Sequence, residues 1–246
     1  MISILVTGVS GRMGQSVCKA VEANPETVVG GTHDQGEELA DILPACDVMI
    51  DFSHHTFTCC LLEKAVAMRK PVVIGTTGHT DEERKAIAEA AQLIPVVFAS
   101  NFSIGVNTLF WLTRKAANIL NEGYDIEVIE MHHHNKIDAP SGTARSLAEI
   151  LCKQTGLSYD DDVTHGRVGN IGARPVREIG MHSLRGGDVV GDHTVIFAGD
   201  GERVELTHKA SSRMTFANGA VRAALWLCGR EAGLYDMEDV LGFRNL

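Results

Sequence analysis

The chain lacks a CxxC pair, a long apolar run and any excess of positive charge, and each absence removes a class of function. Its six cysteines stand at positions 18, 46, 59, 60, 152 and 228, without the spacing of a zinc site or a disulfide framework. Cys59 and Cys60 are neighbours in an expected helix, where adjacent side chains diverge, so shared metal ligation is not expected. Free thiols fit a reducing compartment. No apolar stretch reaches the ~20 residues that cross a bilayer. The opening MISILVTGVSGRMG carries no basic leader and its apolar run breaks at glycines, so no secretory signal is expected and the location reads as cytoplasmic. Lys and Arg number 22 against 32 Asp and Glu, a formal net charge of −10. That balance argues against nucleic acid as a partner, since phosphate backbones select a basic footprint. No repeat or low-complexity segment interrupts the chain.

What is present is an alternation. Residues 2–6, 28–32, 48–52, 71–74 and 95–99 read as short apolar strands, and 12–23, 57–68 and 81–92 as helices between them. Thr80 followed by Glu83 forms a capping box for the last of these. Uninterrupted apolar strands alternating with helices predict a parallel sheet covered on both faces, a doubly wound α/β domain. The rhythm then changes. After a helix over 106–120, strands are expected at 124–131, 179–185, 188–198 and 203–210, with one helix over 141–154. Successive strands joined by glycine-rich turns predict a second α+β domain with a mixed or antiparallel sheet. A closing helix is expected over 216–232. The division predicted is 1–103 plus 215–246 for a dinucleotide-binding domain, and 104–214 for a substrate-binding domain.

The first motif is Gly8-Val9-Ser10-Gly11-Arg12-Met13-Gly14, between a strand and a helix. Glycines there let the backbone turn tightly and approach a pyrophosphate resting on the helix N-terminus. Asp34 follows at about 20 residues, the place of a carboxylate that hydrogen-bonds a ribose 2′-hydroxyl and repels a 2′-phosphate. Gln35 stands where an arginine would favour the phosphate. NADH or NADPH is therefore the expected cofactor, with a lean to NADH. Gly75-Thr76-Thr77 and Ala99-Ser100-Asn101-Phe102 also follow apolar strands, whose C-terminal ends line the ligand crevice of such sheets.

The most distinctive stretch is Glu130–Thr143, EMHHHNKIDAPSGT. Three histidines suggest a metal, but on an extended backbone only His132 and His134 share a face. No HExxH or similar spacing accompanies them, so no metal is expected. The continuation points to an anion instead. Pro140 bars helix for its predecessor, Ser141 is a natural N-cap, and the N–H groups of Gly142 and Thr143 then suit a carboxylate. Lys136 and the histidines arrive from the same segment. Asp138 either orients Lys136 or a histidine, or begins a turn. Arg213 reads equally as an anion contact or as part of a charged turn.

Taken together, GVSGRMG, IGTTG, ASNFSIGVN, EMHHHNKIDAPSGTA, LRGGDVVGDHTV and THKASSRMTFANGAV resemble the 4-hydroxy-tetrahydrodipicolinate reductases (dihydrodipicolinate reductases) of the bacterial lysine and diaminopimelate pathway. The resemblance runs over essentially the whole chain. It implies a Rossmann-type domain, a substrate domain whose sheet builds a homotetramer, and hydride transfer from NADH or NADPH to a small dicarboxylate. It implies His132 as the acid–base residue and Lys136 as a catalytic donor. It puts His133, Lys136, Gly142 and Thr143 around the substrate carboxylates, with the cofactor on residues 8–13, Asp34, 75–77 and 99–102. The chain is shorter than the family around residues 35–45 and near 157–163. Rival readings are another Rossmann-type reductase of a small acid, a dinucleotide-binding protein without turnover, and a histidine-ligated metal hydrolase.

Overall fold

The computed structural model describes residues 1–37 and 45–245. The shortened stretch after the second strand therefore falls largely outside the described residues. Two compact units are present: Met1–Ile104 with Arg213–Leu246, and Gly105–Ser212.

In the first unit β1 (Ile2–Thr7), α1 (Arg12–Ala23), β2 (Thr27–His33), β3 (Val48–Asp51), α2 (His55–Met68), β4 (Val72–Ile74), α3 (Asp81–Ala90) and β5 (Pro95–Phe98) follow in sequence. The strands pair in parallel. Alternation sorts their side chains. Ile4, Val6, Val48 and Ile50 face a core shared with Val17 and Val21, whereas Leu5, Met49, Val72 and Ile74 face one shared with Leu61 and Ile87. Each such fully buried side chain contributes roughly 1.5–3 kcal/mol relative to exposure. The capping box at Thr80 and Glu83 is formed on both sides.

The chain then enters the second unit through α4 (Ile104–Ile119), continuing with β6 (Tyr124–His132), α5 (Gly142–Thr155), α6 (Tyr159–Asp162), β7 (Val163–His165), β8 (Ile179–Arg185), β9 (Gly191–Gly199) and β10 (Glu202–Ala210). Their sheet has the order β10-β9-β6-β8-β7. It is mixed, with β6 parallel to β8 and antiparallel to β9. Ile126, Val128, Val195 and Phe197 pack against Leu147 and Leu151 of α5. The doubly wound parallel sheet and the second mixed sheet expected from the sequence are thus both present.

After β10 the chain returns to the first unit as α7 (Met214–Leu227), β11 (Gly233–Tyr235) and α8 (Met237–Leu241). Ala217, Ala220 and Ala224 of α7 lie in the same core as α1. The expected helix over 216–232 stops at Leu227 because Cys228 is extended and Gly229 takes φ +83°. The residues beyond add a sixth parallel strand beside β5, too short to show a periodicity. The strand expected from 188 begins only at Gly191, where pairing with Ala210 of β10 starts.

Candidate active site

The first sheet has the order β11-β5-β4-β3-β1-β2. Chain order reverses at β1, which lies between β2 and β3, and ligands of open α/β sheets settle at the carboxyl end of such a switch point. Gly8 leaves β1 there with φ +75°. A Cβ at Gly8 would sit 2.4 Å from the Phe52 carbonyl oxygen, and one at Gly14 would sit 2.2 Å from the Gly8 oxygen. Only glycine lets this turn close. Gly11 caps α1 without any side-chain acceptor, so the first-turn N–H groups remain suited to a pyrophosphate. This cradle fits a dinucleotide.

Beside it lies a cavity of about 780 Å³, lined by Gly8, Ser10, Gly11 and Asp34 together with His54 and Phe57. Asp34 accepts from the Ser10 and Gln35 N–H groups. The Ser10 contact holds its carboxyl below the usual range. Glu37 turns back to accept from the Asp34 N–H at 2.7 Å. A second cavity of about 400 Å³ is lined by Met13, Gly75, Thr76, Thr77, Ser100, Asn101 and Phe102. Val9, Arg12 and Ala99 stand in the same loops but line neither cavity. Phe52, Ser53 and His54 line both and escaped the sequence reading. Their signal was available, since DFSHH directly follows an apolar strand just as IGTTG does. Asp51 behind them is fully buried and ties the crevice together, accepting from Thr7 at 2.6 Å and Thr58 at 2.9 Å.

In the second unit, the alternation that buries Ile126 and Val128 carries Glu130 and His132 to the same face. Glu130 is 0% exposed. Its carboxylate meets His132 Nδ1 at 2.6 Å, the Arg185 guanidinium at 2.8 and 2.9 Å, and the Ser141 N–H at 3.2 Å. Burial would push this carboxyl up. The bonds from His132, Arg185 and Ser183 outweigh it and hold the group at about 2. Ser141 caps α5 by accepting from the Ala144 N–H at 3.1 Å, and its hydroxyl lies 2.9 Å from His193 Nε2. Burial pushes His193 down to about 3, so it is neutral.

Gly142 and Thr143 form the first turn of α5, where N–H groups precede the first intrahelical bond. Lys136 donates to both Asp138 oxygens, at 2.7 and 2.8 Å, which decides between the open roles of Asp138. His134 Nδ1 bonds the Gly187 carbonyl at 2.8 Å and so braces the β8–β9 turn. His133 is half-buried beside the turn, its N–H on Val189. Among the described residues no group of three or more His, Cys, Asp or Glu side chains is gathered to hold a metal ion. Arg213 belongs to the first unit, at the cap of α7. Glu130, Arg185 and His193 were missed as site residues. The signal was the run I-x-V-x-E-x-H, in which a carboxylate occupies a core-facing position of a strand and must be partnered there.

A dinucleotide cradle in one unit and, in the other, a buried ionised Glu130 that holds His132 beside the capped start of α5 define a nicotinamide-dependent oxidoreductase of Rossmann type. Family models narrow this class. Residues 2–102 match the N-terminal model, and residues 105–241 the C-terminal model, of dihydrodipicolinate reductase. The chain belongs to the dihydrodipicolinate reductase family. It is 71% identical over 246 residues to a 4-hydroxy-tetrahydrodipicolinate reductase of Akkermansia muciniphila, covering 100% of both chains. It is 43% identical to one of Anaeromyxobacter dehalogenans, covering 100% of this chain and 99% of the relative. A dipicolinate-bound dihydrodipicolinate reductase from Paenisporosarcina shares the fold, with a TM-score of 0.79 at 24% identity over 97% of this chain and 99% of that one.

Proposed function

We propose that this chain reduces 4-hydroxy-tetrahydrodipicolinate to tetrahydrodipicolinate with NADH or NADPH, a step of lysine and diaminopimelate biosynthesis. The observation that carries the reading for this chain is the Glu130–His132 pair, 2.6 Å apart, on the same segment as Lys136 and the start of α5. Bound nicotinamide supplies the hydride. Gly8, Ser10 and Gly11 with Asp34 hold the cofactor in the first cavity, and Gly75–Thr77 with Ser100–Phe102 hold it in the second. Lys136, His133 and the α5 turn at Ser141, Gly142 and Thr143 bind the substrate carboxylates, which fixes the ring for reaction. Reduction of a conjugated imine leaves electron density on carbon that a proton must quench, and His132 delivers it. The test is loss of nicotinamide absorbance when the product of dihydrodipicolinate synthase is added. Oxidation with pyruvate or oxaloacetate instead would make the chain a reductase of another small acid. Cofactor binding without turnover would make it a binding protein.

NADH is the expected better cofactor. Asp34 and Glu37 place two carboxylates at the rim of the first cavity, and its described lining holds no Lys or Arg. A 2′-phosphate there meets about 1 kcal/mol of repulsion per close charge in water, so kcat/KM for NADH should exceed that for NADPH roughly tenfold. A preference for NADPH would overturn this assignment.

The same reading places the enzyme in the cytoplasm as a homotetramer assembled through the second unit's sheet. Support comes from the face of that sheet opposite α5, where Ile129, Met131, Leu184 and Ile196 share one side and Leu184 is half-exposed. Light scattering should return four copies of the chain; a monomer would remove the proposal.

A further inference from the structure

A carboxylate without solvent at the core face of a strand is retained only if donors replace the water it has lost. Glu130 has such donors on every side. Arg185, on the neighbouring strand β8, grips both its oxygens, and the Ser141 N–H approaches from the cap of α5. Arg185 is itself held by the Asp138 carbonyl at 2.7 Å. A carboxylate kept ionised in this way can only accept hydrogen bonds. The His132 nitrogen that faces it at 2.6 Å, Nδ1, must therefore be the donor.

The consequence falls on the other nitrogen. With Nδ1–H committed to Glu130, only Nε2 can gain and lose a proton while the contact is kept. Position 191 sets no side chain against it: a Cβ on Gly191 would lie 3.0 Å from Nε2. The remaining charged or titratable groups around the ring have other engagements. His193 of β9 stacks edge-on at 5.2 Å and is neutral. Lys136 and Asp138, in the loop that follows, are paired with each other.

We infer that Glu130, clamped by Arg185 and the Ser141 N–H, is a positioning residue that fixes His132 with a proton on Nδ1 and makes Nε2 the nitrogen that delivers the proton to the substrate. This rests on the acid role proposed for His132. In the step itself the hydride adds to the conjugated imine and the displaced electron pair localises on a ring carbon. The Nε2–H bond of imidazolium breaks as a C–H bond forms there. His132 is left neutral, still donating Nδ1–H to Glu130, and regains its proton from solvent. Glu130 is not consumed and never protonated. It stabilises the imidazolium before transfer and keeps the tautomer after it.

The tautomer can be read directly in the wild-type enzyme. Nitrogen-15 spectra of histidine-labelled protein, assigned by difference from His132→Gln, should show neutral His132 with its proton on Nδ1; a proton on Nε2 overturns the inference. Kinetics supply a readout that a merely structural carboxylate would not move. Glu130→Gln keeps a neutral acceptor and removes the charge, so kcat should fall roughly 10–100-fold with cofactor KM unchanged. The pH profile of kcat should change as well, because imidazolium has lost its counter-charge. Glu130→Ala should be worse than Glu130→Gln. Inactive His132→Gln beside a Glu130→Gln enzyme of wild-type kcat and pH profile would sink this inference alone. A fully active His132→Gln would sink the acid role and the inference with it.

Discussion

His132→Gln should lower kcat by roughly two to four orders of magnitude, the range that a positioned proton donor supplies, while cofactor affinity stays near the wild-type value. Glutamine is close to isosteric with the proximal half of imidazole but has no proton to give near neutral pH. The fold should tolerate the change, because Glu130 keeps Arg185 and the Ser141 N–H as partners. The cofactor should be unaffected because the cradle residues Gly8, Ser10 and Gly11 belong to the other unit. Steady-state kinetics with either nicotinamide, together with a direct binding measurement for the cofactor, separate the two quantities. Wild-type turnover would remove His132 from the chemistry.

The second large effect is expected from Lys136→Ala. The Lys136 ammonium sits 2.7 Å from Asp138, with about one fifth of the side chain exposed, so its charge is held in place but reachable. A substrate carboxylate competes with Asp138 for it. Truncating one partner of a desolvated ion pair costs roughly 2–5 kcal/mol, equivalent to tens to thousands-fold in kcat/KM. The loss should be shared between a raised KM for the dicarboxylate and a lowered kcat, since the same contact orients the ring for hydride addition. An unchanged KM with only kcat reduced would mean that Lys136 acts in the transition state alone and binds no ground-state carboxylate. Lys136→Arg is not expected to restore activity, because a planar fork does not reproduce a compact ammonium.

The two effects also mark how far the residues could be read without a fold. His132 and Lys136 announce themselves by type and by the Pro-Ser-Gly-Thr that follows them. Glu130 shows only a core-facing position in the alternation I-x-V-x-E-x-H; its partner is Arg185, 55 residues away, reaching the same face through β-pairing. His193 is hidden for a similar reason. It is a cross-strand neighbour of Glu130; the alternation His193, Val195, Phe197 sets it on the core face, but nothing within its own strand indicates Ser141 as its partner. His134 shows the converse. Its place in a triple histidine suggests chemistry, yet its ring holds a turn carbonyl.

Local chemistry in the chain was sufficient for the parallel-sheet unit, the glycine turn after β1 and the Thr80 and Ser141 caps. Each depends on periodicity, steric freedom or capping, which act over a few residues and are written in consecutive positions. Tertiary structure alone decided that the returning segment, expected as a single helix, also adds a sixth strand beside β5. It also decided that Phe52, Ser53 and His54 line both cavities rather than one, which a loop after a strand does not specify, and that Arg185 meets the Glu130 carboxylate behind His132. Those outcomes come from pairings between distant segments, where burial converts an unremarkable Glu or Arg into a group that must find its partner.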